Sequence, residues 1–271
     1  MENNITGRAL RGEKFNDLHI IDMHCHLREV QEFYFPGGYI EEMIADANLP
    51  GIESLCIAPH ISLSYDHRDG NRQSVDAVNK FPDRVFAMVM VNPNQPEDIT
   101  SEIEKYYKIP QFIGVKLHPG SHSYPLSGDK YGAVFECVTR LGGFILTHTW
   151  ETDGNCNAAE CEKVLQRHPG VPLIMAHTLG VPKGIPKALR LANEYENCYI
   201  DTSGFEFSNA SIEHIMKNVD NSKVFYGSDM PYHDVRSGLS RILLSNLTDE
   251  VKIKILSKNY RDMLKKYPKR G

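Results

Sequence analysis

The sequence lacks the long apolar runs of a membrane protein and the basic excess of a nucleic-acid-binding protein. Its longest clean apolar run is Val85–Val91, far shorter than the roughly 20 residues that a transmembrane helix needs. The chain of 271 residues carries 30 Lys and Arg against 35 Asp and Glu, a net charge of −5. Without a basic surplus it has little to hold a phosphate backbone. We therefore expect a small-molecule substrate, and neither a membrane nor a nucleic acid as partner.

Two further absences concern the N-terminus and the cysteines. The polar segment 1–17 has no apolar centre and does not resemble a signal peptide, so we expect a short N-terminal arm. Cys156 and Cys161 lie close together, but a zinc knuckle would need a second close pair. Four of the six cysteines lie in apolar runs or predicted helices, as reduced, buried thiols do. The expected location is the cytoplasm.

Short β-rich apolar runs recur along the whole chain. Most of them are apolar on both faces, as expected of parallel strands that helices cover on both sides. The eight predicted strands are His19–His24, Ser54–Pro59, Val85–Val91, Phe112–His118, Phe144–His148, Leu173–His177, Cys198–Ser203 and Val224–Ser228.

Segments with helical periodicity fill the intervals between these strands. They are Gly37–Ala47, Arg72–Lys80, Ile99–Tyr107, Tyr131–Leu141, Glu160–His168, Ile185–Glu194 and Ser211–Asn218, followed by Arg236–Leu244 and Glu250–Leu264. Eight strand–helix alternations over about 250 residues predict a single α/β domain, a (β/α)8 TIM barrel with extra C-terminal helices. The alternative is a doubly wound open sheet, but no G-x-G-x-x-G follows the first strand.

Polar residues lie at one end of every predicted strand. In a TIM barrel the C-terminal strand ends form the active site. His24 and His26 are two residues apart, so both side chains lie on one side of the strand, and such a pair can bind one divalent metal. The strand-end residues are, in order, His24 and His26, His60, Asn92, Lys116 and His118, His148, His177, Asp201 and Ser203, and Asp229.

Five of these strand ends resemble the motifs of a known family. The segments HIIDMHCH, FIGVKLHP, FILTHTW, LIMAHTLG and VFYGSDMPY, with a closing segment at Ser257–Leu264, are similar to the amidohydrolase superfamily. The likeness is to its amidohydrolase-related branch, which includes aminocarboxymuconate-semialdehyde decarboxylase and related hydrolases.

The resemblance implies a role for each matching residue. His24, His26 and His148 would be metal ligands. Asp229 would bind the metal and accept a proton from water. His177 would polarise the substrate or act as acid and base, or would bind a second metal where two are present.

Lys116 bears on whether the site holds one ion or two. In two-metal members of the superfamily a lysine at this strand end is carboxylated and bridges the ions. A plain ammonium would repel a metal, so Lys116 must be modified, paired with a carboxylate or turned toward an anionic substrate. Trp150 resembles the mononuclear side of the branch. We therefore expect one divalent ion, zinc by preference, and two if Lys116 is carboxylated.

The expected activity is a metal-dependent hydrolase that uses a metal-activated water on an amide, lactone or ester. The alternative with the same site is a metal-dependent, non-oxidative decarboxylase of an unsaturated or aromatic acid. A non-catalytic metal-binding barrel is the alternative from another class.

Other polar residues have more ordinary interpretations. His60 and His118 are expected to lie at the barrel mouth with hydrogen bonds to the backbone rather than to bind metal. Asp201 would orient a histidine or be a satisfied core carboxylate. His122 would contact substrate or face water. His19, His67, His168, His214 and His233 are expected to be ordinary surface or helix-end residues, and the aromatic stretch Phe33–Tyr39 would pack in a homodimer.

Overall fold

The chain folds into a ring of parallel strands. The structure is a computed structural model that describes residues 3–28, 37–204 and 208–270. The strands are β1 (Ile20–Leu27), β2 (Ile52–Pro59), β3 (Val85–Met90), β4 (Phe112–Leu117), β5 (Phe144–Thr147), β6 (Leu173–Met175), β7 (Cys198–Asp201) and β8 (Val224–Phe225).

Every strand pairs in parallel with the next one along the chain, in the order β1 to β8. Backbone hydrogen bonds then join the last strand to the first: Met23 donates to the Tyr226 carbonyl, and Asp229 donates to the His24 carbonyl. The fold is therefore the TIM barrel that the alternation predicted, not an open sheet.

Helices surround the barrel. They are Ile5–Leu10, Ile40–Asn48, Ile61–Ser64, His67–Lys80, Ile99–Tyr106, Pro119–His122, Gly132–Leu141, Ala158–Arg167, Ile185–Glu194, Asn209–Asn218, Val235–Leu243, Asp249–Ile253 and Asn259–Lys266, with a π-helical turn at Lys254–Lys258. Short 3-10 turns lie at Asn16–Leu18, Pro96–Asp98, Asp129–Tyr131, Ala176–Leu179 and Asn221–Lys223. No helix in the described ranges is long and apolar enough to cross a membrane.

Three helices begin earlier than apolar periodicity predicts, because polar side chains cap them. Asp66, Asn157 and Ser208 each accept a hydrogen bond from the backbone N–H three residues later. Such caps satisfy N–H groups that the first helical turn leaves without partners. A cap residue has no apolar signature, so the hydrophobic pattern alone places the start too late.

Six of the eight strands end one to three residues earlier than predicted, and the ends of β6 and β8 show the reason most clearly. β6 stops at Met175 and passes into a turn in which His177, Thr178 and Leu179 have φ values of 60°, 47° and 62°. β8 comprises only Val224 and Phe225. The predicted continuations to His177 and Ser228 are therefore wrong, because the chain leaves the ladder at the point where it presents its polar side chains.

The core has two layers. One lies between the strands and the helices, and the other fills the barrel itself. In the inner layer the Phe144 ring packs directly over β4, where a Cβ on Gly114 would lie 2.7 Å from a ring atom. All six cysteines are buried and free, which confirms the prediction of reduced, buried thiols.

The predicted N-terminal arm contains a helix, Ile5–Leu10, that is anchored to the C-terminal part of the chain. Its first N–H donates to the Asp249 carboxylate at 3.1 Å, and the Thr6 hydroxyl donates to the Leu243 carbonyl at 3.1 Å. These contacts join the two ends of the described chain.

Candidate metal centre and active site

Two histidines of β1 form the centre of the candidate site. His24 and His26 are both buried, and their Nε2 atoms lie 3.2 Å apart. The alternation of side chains along the strand places both rings inside the barrel mouth, as predicted.

Asp229 reaches the same point from the end of β8. Its backbone N–H donates to the His24 carbonyl at 2.9 Å, and its φ of 63° turns the side chain into the mouth. Gly227 permits the close approach of this segment, because a Cβ there would lie 2.7 Å from the His24 Cβ. The Asp229 Oδ1 atom then lies 3.2 Å from His26 Nε2 and 3.5 Å from His24 Nε2.

Hydrogen bonds on the far side of each ring determine which nitrogen faces the site. His26 Nδ1 lies 3.0 Å from the Ala58 carbonyl oxygen, which only accepts, so Nδ1 carries the proton. His24 Nδ1 donates in the same way to the Asp201 carboxylate at 2.8 Å. Both Nε2 atoms therefore present lone pairs toward Asp229.

His177 is held by the same carboxylate through a hydroxyl group. The Ser203 hydroxyl donates to Asp201 Oδ1 at 2.6 Å and so accepts from His177 Nδ1 at 3.0 Å. The His177 backbone N–H also donates to Asp201, at 2.8 Å. His177 therefore presents a lone pair on Nε2 as well. Of the two roles that the sequence left open for Asp201, its hydrogen bonds favour the orientation of His24 and His177.

These atoms fit a divalent cation. Ligand atoms of His24, His177 and Asp229 all lie within 4.8 Å of one another. The separations of 3.2–3.5 Å among His24, His26 and Asp229 match the edges of about 3.3–3.4 Å of a tetrahedron with ligand bonds of about 2.0–2.1 Å. Asp229 Oδ1 is buried and makes no hydrogen bond within the described residues. A buried carboxylate oxygen without a donor is what a bound cation would satisfy.

Burial and neighbouring charges set the protonation of the cluster. Burial lowers the pKa of His24, and that of His26 and His177, so the rings are neutral. Burial alone would raise the pKa of Asp229, but the rings of His26, His177 and His24 close to its carboxylate hold that pKa well below its ordinary value. The Asp201 pKa is likewise lowered to about 2 against the effect of burial, mainly by the His24 ring. Both carboxylates are therefore ionised ligands or acceptors.

Lys116 projects into the same cluster from β4. It is buried, and its Nζ lies 2.7 Å from His24 Nε2. Burial lowers its pKa to about 8, against the opposing pull of Asp229 and Asp201. An unmodified Lys116 thus competes with a cation for the His24 lone pair. Its position therefore bears directly on whether the site holds one metal ion or two.

A second group of rings lies across the mouth from this cluster. His148 stacks on His118 with centroids 4.0 Å apart and planes 12° apart, and it meets the His177 ring at 4.9 Å. The Trp150 plane lies 8° from that of His148, with a centroid distance of 6.3 Å. His148 therefore borders the cluster and contacts it through His177, and the role of metal ligand that the resemblance implied for it stays a prediction.

A pocket of about 340 Å³ opens above both groups. Its walls combine imidazoles and Asp229 with apolar and aromatic surface. The lining residues are His26, Leu63, His118, His148, Trp150, His177, Gly204, Asp229, Tyr232 and His233. Of the residues to which the resemblance gave a role, a small substrate in this pocket would contact His26, His148, His177 and Asp229, whereas His24 and Lys116 do not line it.

The ordinary interpretations of the remaining histidines have mixed outcomes. His60 donates to the Arg28 carbonyl and His118 accepts from the Ser121 N–H, so their backbone hydrogen bonds are confirmed. His122 is buried against Tyr131 instead of lining the pocket. His67 begins the helix His67–Lys80, as a helix-end residue, and its side chain is buried there instead of facing solvent.

His233 is not the ordinary surface or helix-end residue that the sequence predicted. It lines the pocket, with Nε2 3.9 Å from Asp229 Oδ2. The sequence signal that could have predicted this placement is the position of His233, four residues after Asp229 in the loop beyond β8. The stretch Phe33–Tyr39 lies largely outside the described residues, so the homodimer stays a prediction.

Comparison with known proteins bears on this site. A family model described as amidohydrolase matches residues 21–266. No curated protein matches the chain. A 5-carboxyvanillate decarboxylase from Sphingomonas paucimobilis has a similar structure, with a TM-score of 0.74 at 15% identity, over 92% of this chain and 99% of that one.

Two further solved structures are similar. A probable 2-pyrone-4,6-dicarboxylic acid hydrolase from Acinetobacter baumannii, with citric acid bound, has a TM-score of 0.70 at 15% identity, over 91% and 99% of the two chains. A 5-carboxyvanillate decarboxylase from Novosphingobium aromaticivorans, complexed with manganese, has a TM-score of 0.66 at 16% identity, over 83% and 79%. At these identities the likeness shows the barrel fold.

Proposed function

The chain belongs to the amidohydrolase family, and from this premise we propose that it is a metal-dependent hydrolase of a small carbonyl compound: an amide, a lactone or an ester. The observation that carries the proposal is the convergence of His24, His26 and His177 lone pairs on a buried, ionised Asp229.

His24, His26, Asp229 and either His148 or His177 would hold one divalent ion. The donor set of imidazoles and one carboxylate suits zinc, and the manganese in a neighbouring structure makes that ion the first competitor to test. When bound, the ion supplies Lewis-acid polarisation of a substrate oxygen and makes a water molecule more acidic. With Asp201 and Asp229 ionised and Lys116 protonated, the cluster carries one net negative charge, which a single divalent ion more than offsets.

Asp229 has one oxygen for each of two tasks. Oδ1 lies among the ligand nitrogens, whereas Oδ2 lies on the pocket side, 3.9 Å from His233 Nε2. The carboxylate would accept the proton of the attacking water and pass it to the leaving group. This division of the two oxygens favours hydrolysis, because only hydrolysis needs a base for water.

His177 would act through its lone pair. Because Nδ1–H donates to Ser203, Nε2 is a ligand or a proton acceptor. Polarisation of the substrate by a hydrogen bond from Nε2, one of the roles that the resemblance implied, would need a second proton on the ring. The structure thus favours the ligand or base role for His177.

The second candidate is decarboxylation, which the pocket walls favour. Leu63, Trp150 and Tyr232 provide apolar and aromatic surface beside the cluster, and the described lining contains no Lys or Arg. Such walls suit an aromatic acid whose carboxylate is bound by a metal and loses its hydration. Both 5-carboxyvanillate decarboxylases among the similar structures act on such an acid.

One experiment separates the two. Zinc- and manganese-loaded enzyme is offered 2-pyrone-4,6-dicarboxylate, simple lactones and amides, and 5-carboxyvanillate in ¹⁸O-labelled water. Hydrolysis places ¹⁸O in the product, whereas decarboxylation releases carbon dioxide without net consumption of water. Carbon dioxide release with no ¹⁸O in the organic product would replace the first proposal by the second, and turnover that survives chelation would remove both.

A further inference from the structure

We propose that His118 binds the substrate, as the hydrogen-bond donor that recognises an oxygen acceptor such as a carbonyl or a carboxylate. The inference rests on the proposed function, because it assigns a residue to the substrate of that same pocket. It also specifies the substrate class: a planar molecule with an acceptor oxygen directed toward the end of β4.

The tautomer of His118 follows from one hydrogen bond. The Ser121 backbone N–H donates to His118 Nδ1 at 3.1 Å, where the histidine caps the short helix Pro119–His122. A backbone N–H can only donate, so Nδ1 holds a lone pair and the ring proton is on Nε2. His118 therefore differs from His24, His26 and His177, which carry the proton on Nδ1.

This difference gives the pocket an asymmetry. The three histidines of the metal cluster offer lone pairs, which attract a cation or a proton. His118 offers an N–H group, which attracts an oxygen lone pair and cannot bind a metal through Nε2. The donor that an oxyanion or a carbonyl oxygen requires is thus supplied from β4, opposite Asp229.

Packing holds the donor in place. The ring stacks on His148 with centroids 4.0 Å apart and planes 12° apart, and it lines the pocket together with Trp150 and Tyr232. Because Nδ1 is occupied by the Ser121 N–H, Nε2 is the ring nitrogen available to a molecule in the pocket that His118 lines. The aromatic walls beside it favour a flat substrate that lies between them with its oxygen at the His118 edge.

Two substitutions distinguish the contribution of the N–H donor of His118 to binding from the contribution of its flat ring. His118→Phe keeps a flat ring that can stack on His148 but has no N–H group. His118→Gln loses the ring but places an amide N–H near the position of Nε2. His168→Phe is a matched control, because His168 also stacks on an aromatic ring, that of Phe135, with centroids 4.4 Å apart and no place in the pocket.

The probe is benzoate, which has a flat ring and two acceptor oxygens. Its dissociation constant is measured by calorimetry on zinc-loaded protein of determined metal content. We expect His118→Phe to weaken binding about ten- to a hundredfold, the range of a hydrogen bond to a charged group. His118→Gln should recover most of this loss, and His168→Phe should bind as the parent does.

Equal benzoate affinity in His118→Phe and the parent, at equal metal content, would overturn the inference, as would a parent that binds no benzoate. Nitrogen-15 NMR of the metal-free protein gives a second readout, in which His118 must show a protonated Nε2 and an unprotonated Nδ1. Neither readout depends on turnover. Benzoate binding with this pattern in a protein that hydrolyses nothing would therefore reject the proposed function and leave the role of His118 intact.

Discussion

The two sides of the barrel mouth position their histidines by different forces. On the hydrogen-bonded side, formed by His24, His26, His177 and Asp229, each ring nitrogen that faces away from the site donates to a fixed acceptor. On the stacked side, formed by His118, His148 and Trp150, the rings lie face to face.

Hydrogen bonding and stacking constrain different properties of an imidazole. A hydrogen bond to Nδ1 fixes both the direction of the ring and the identity of the protonated nitrogen. Stacking fixes the plane and leaves the choice of proton to other contacts. The hydrogen-bonded side is thus suited to a cation, which needs lone pairs, and the stacked side to a flat organic substrate.

The largest expected effect concerns Asp229, which belongs to the hydrogen-bonded side and also faces the pocket. Asp229→Asn keeps the shape and one ligand oxygen but removes the charge and the basicity. We expect partial metal retention and turnover reduced by roughly 10²–10⁴, the usual size of a general-base contribution. Metal analysis and kcat on the same preparation measure the two effects separately.

Asp234→Asn is the matched control for this change. Asp234 lies in the same loop but is exposed and pairs with Arg236, so its substitution should leave turnover unchanged. An Asp229→Asn enzyme with full metal content and parental turnover would restrict Asp229 to a structural role.

Lys116 lies between the two sides, and its charge makes stability depend on pH. In the unfolded chain a lysine keeps its proton up to its ordinary pKa of 10.5, whereas the folded pKa is lowered to about 8 by burial. The unfolded state therefore binds more protons in this window, and the free energy of unfolding of metal-free protein rises from about pH 8 to about pH 10.5. The contribution is about 3 kcal/mol.

Lys116→Met isolates this contribution, since other groups also titrate at high pH. The stability of the parent relative to Lys116→Met should increase by most of that amount between about pH 7 and about pH 10, measured by chemical denaturation. A difference that is constant over this range would mean that the pKa of Lys116 is the same in the folded and unfolded states, contrary to the expected effect of burial.

The strand order and the main site residues were accessible from the sequence, because each leaves a periodic or positional signal. Eight apolar runs predicted the barrel, and the spacing of His24 and His26 predicted a shared face. The end of β8 located Asp229. These inferences need only the alternation of a strand and the geometry of a barrel.

The tautomers of the site histidines could not be predicted from the sequence, because they depend on contacts between distant parts of the chain. The acceptor for His24 is Asp201, 177 residues away, and the acceptor for His26 is a backbone carbonyl, that of Ala58, which has no sequence signature. The positive φ values at His177 and Asp229 were equally hidden, since neither residue is glycine. The loop residue His233 lacked any periodic context.

Asp201→Asn tests whether the hydrogen-bonded side depends on its outer acceptors. The amide retains an oxygen for the Ser203 hydroxyl and N–H, and its NH₂ group then faces His24 Nδ1. That arrangement moves the His24 proton to Nε2 and removes a lone pair from the metal cluster. We expect metal affinity to fall about ten- to a hundredfold, as measured by competition with a chromophoric chelator.

Ser203→Ala provides the comparison for Asp201→Asn. It removes the hydroxyl group that accepts from His177 Nδ1 but leaves the contact between His24 and Asp201. In nitrogen-15 NMR the His24 proton should therefore stay on Nδ1, whereas the His177 proton is no longer held on Nδ1. Retention of the parental His24 tautomer in Asp201→Asn would show that Asp201 is a satisfied core carboxylate and does not control the site.

The smallest expected effect lies on the stacked side, at Trp150. This residue is the only tryptophan in the chain, and its ring packs on the backbone at Gly180, where a Cβ would lie 2.3 Å from a ring atom. Trp150→Phe keeps an aromatic wall but shortens it. We therefore expect KM to rise about two- to tenfold, with kcat and metal content unchanged, because stacking contributes on the order of 1 kcal/mol.

The fluorescence of Trp150 in the parent protein gives a second measurement. Because this ring is at the pocket and the chain has no other tryptophan, its emission should be quenched when cobalt replaces zinc. An unchanged emission spectrum with cobalt at full occupancy would place the metal away from this pocket, and a Trp150→Phe enzyme that loses metal would show that the stacked side also supports the cation.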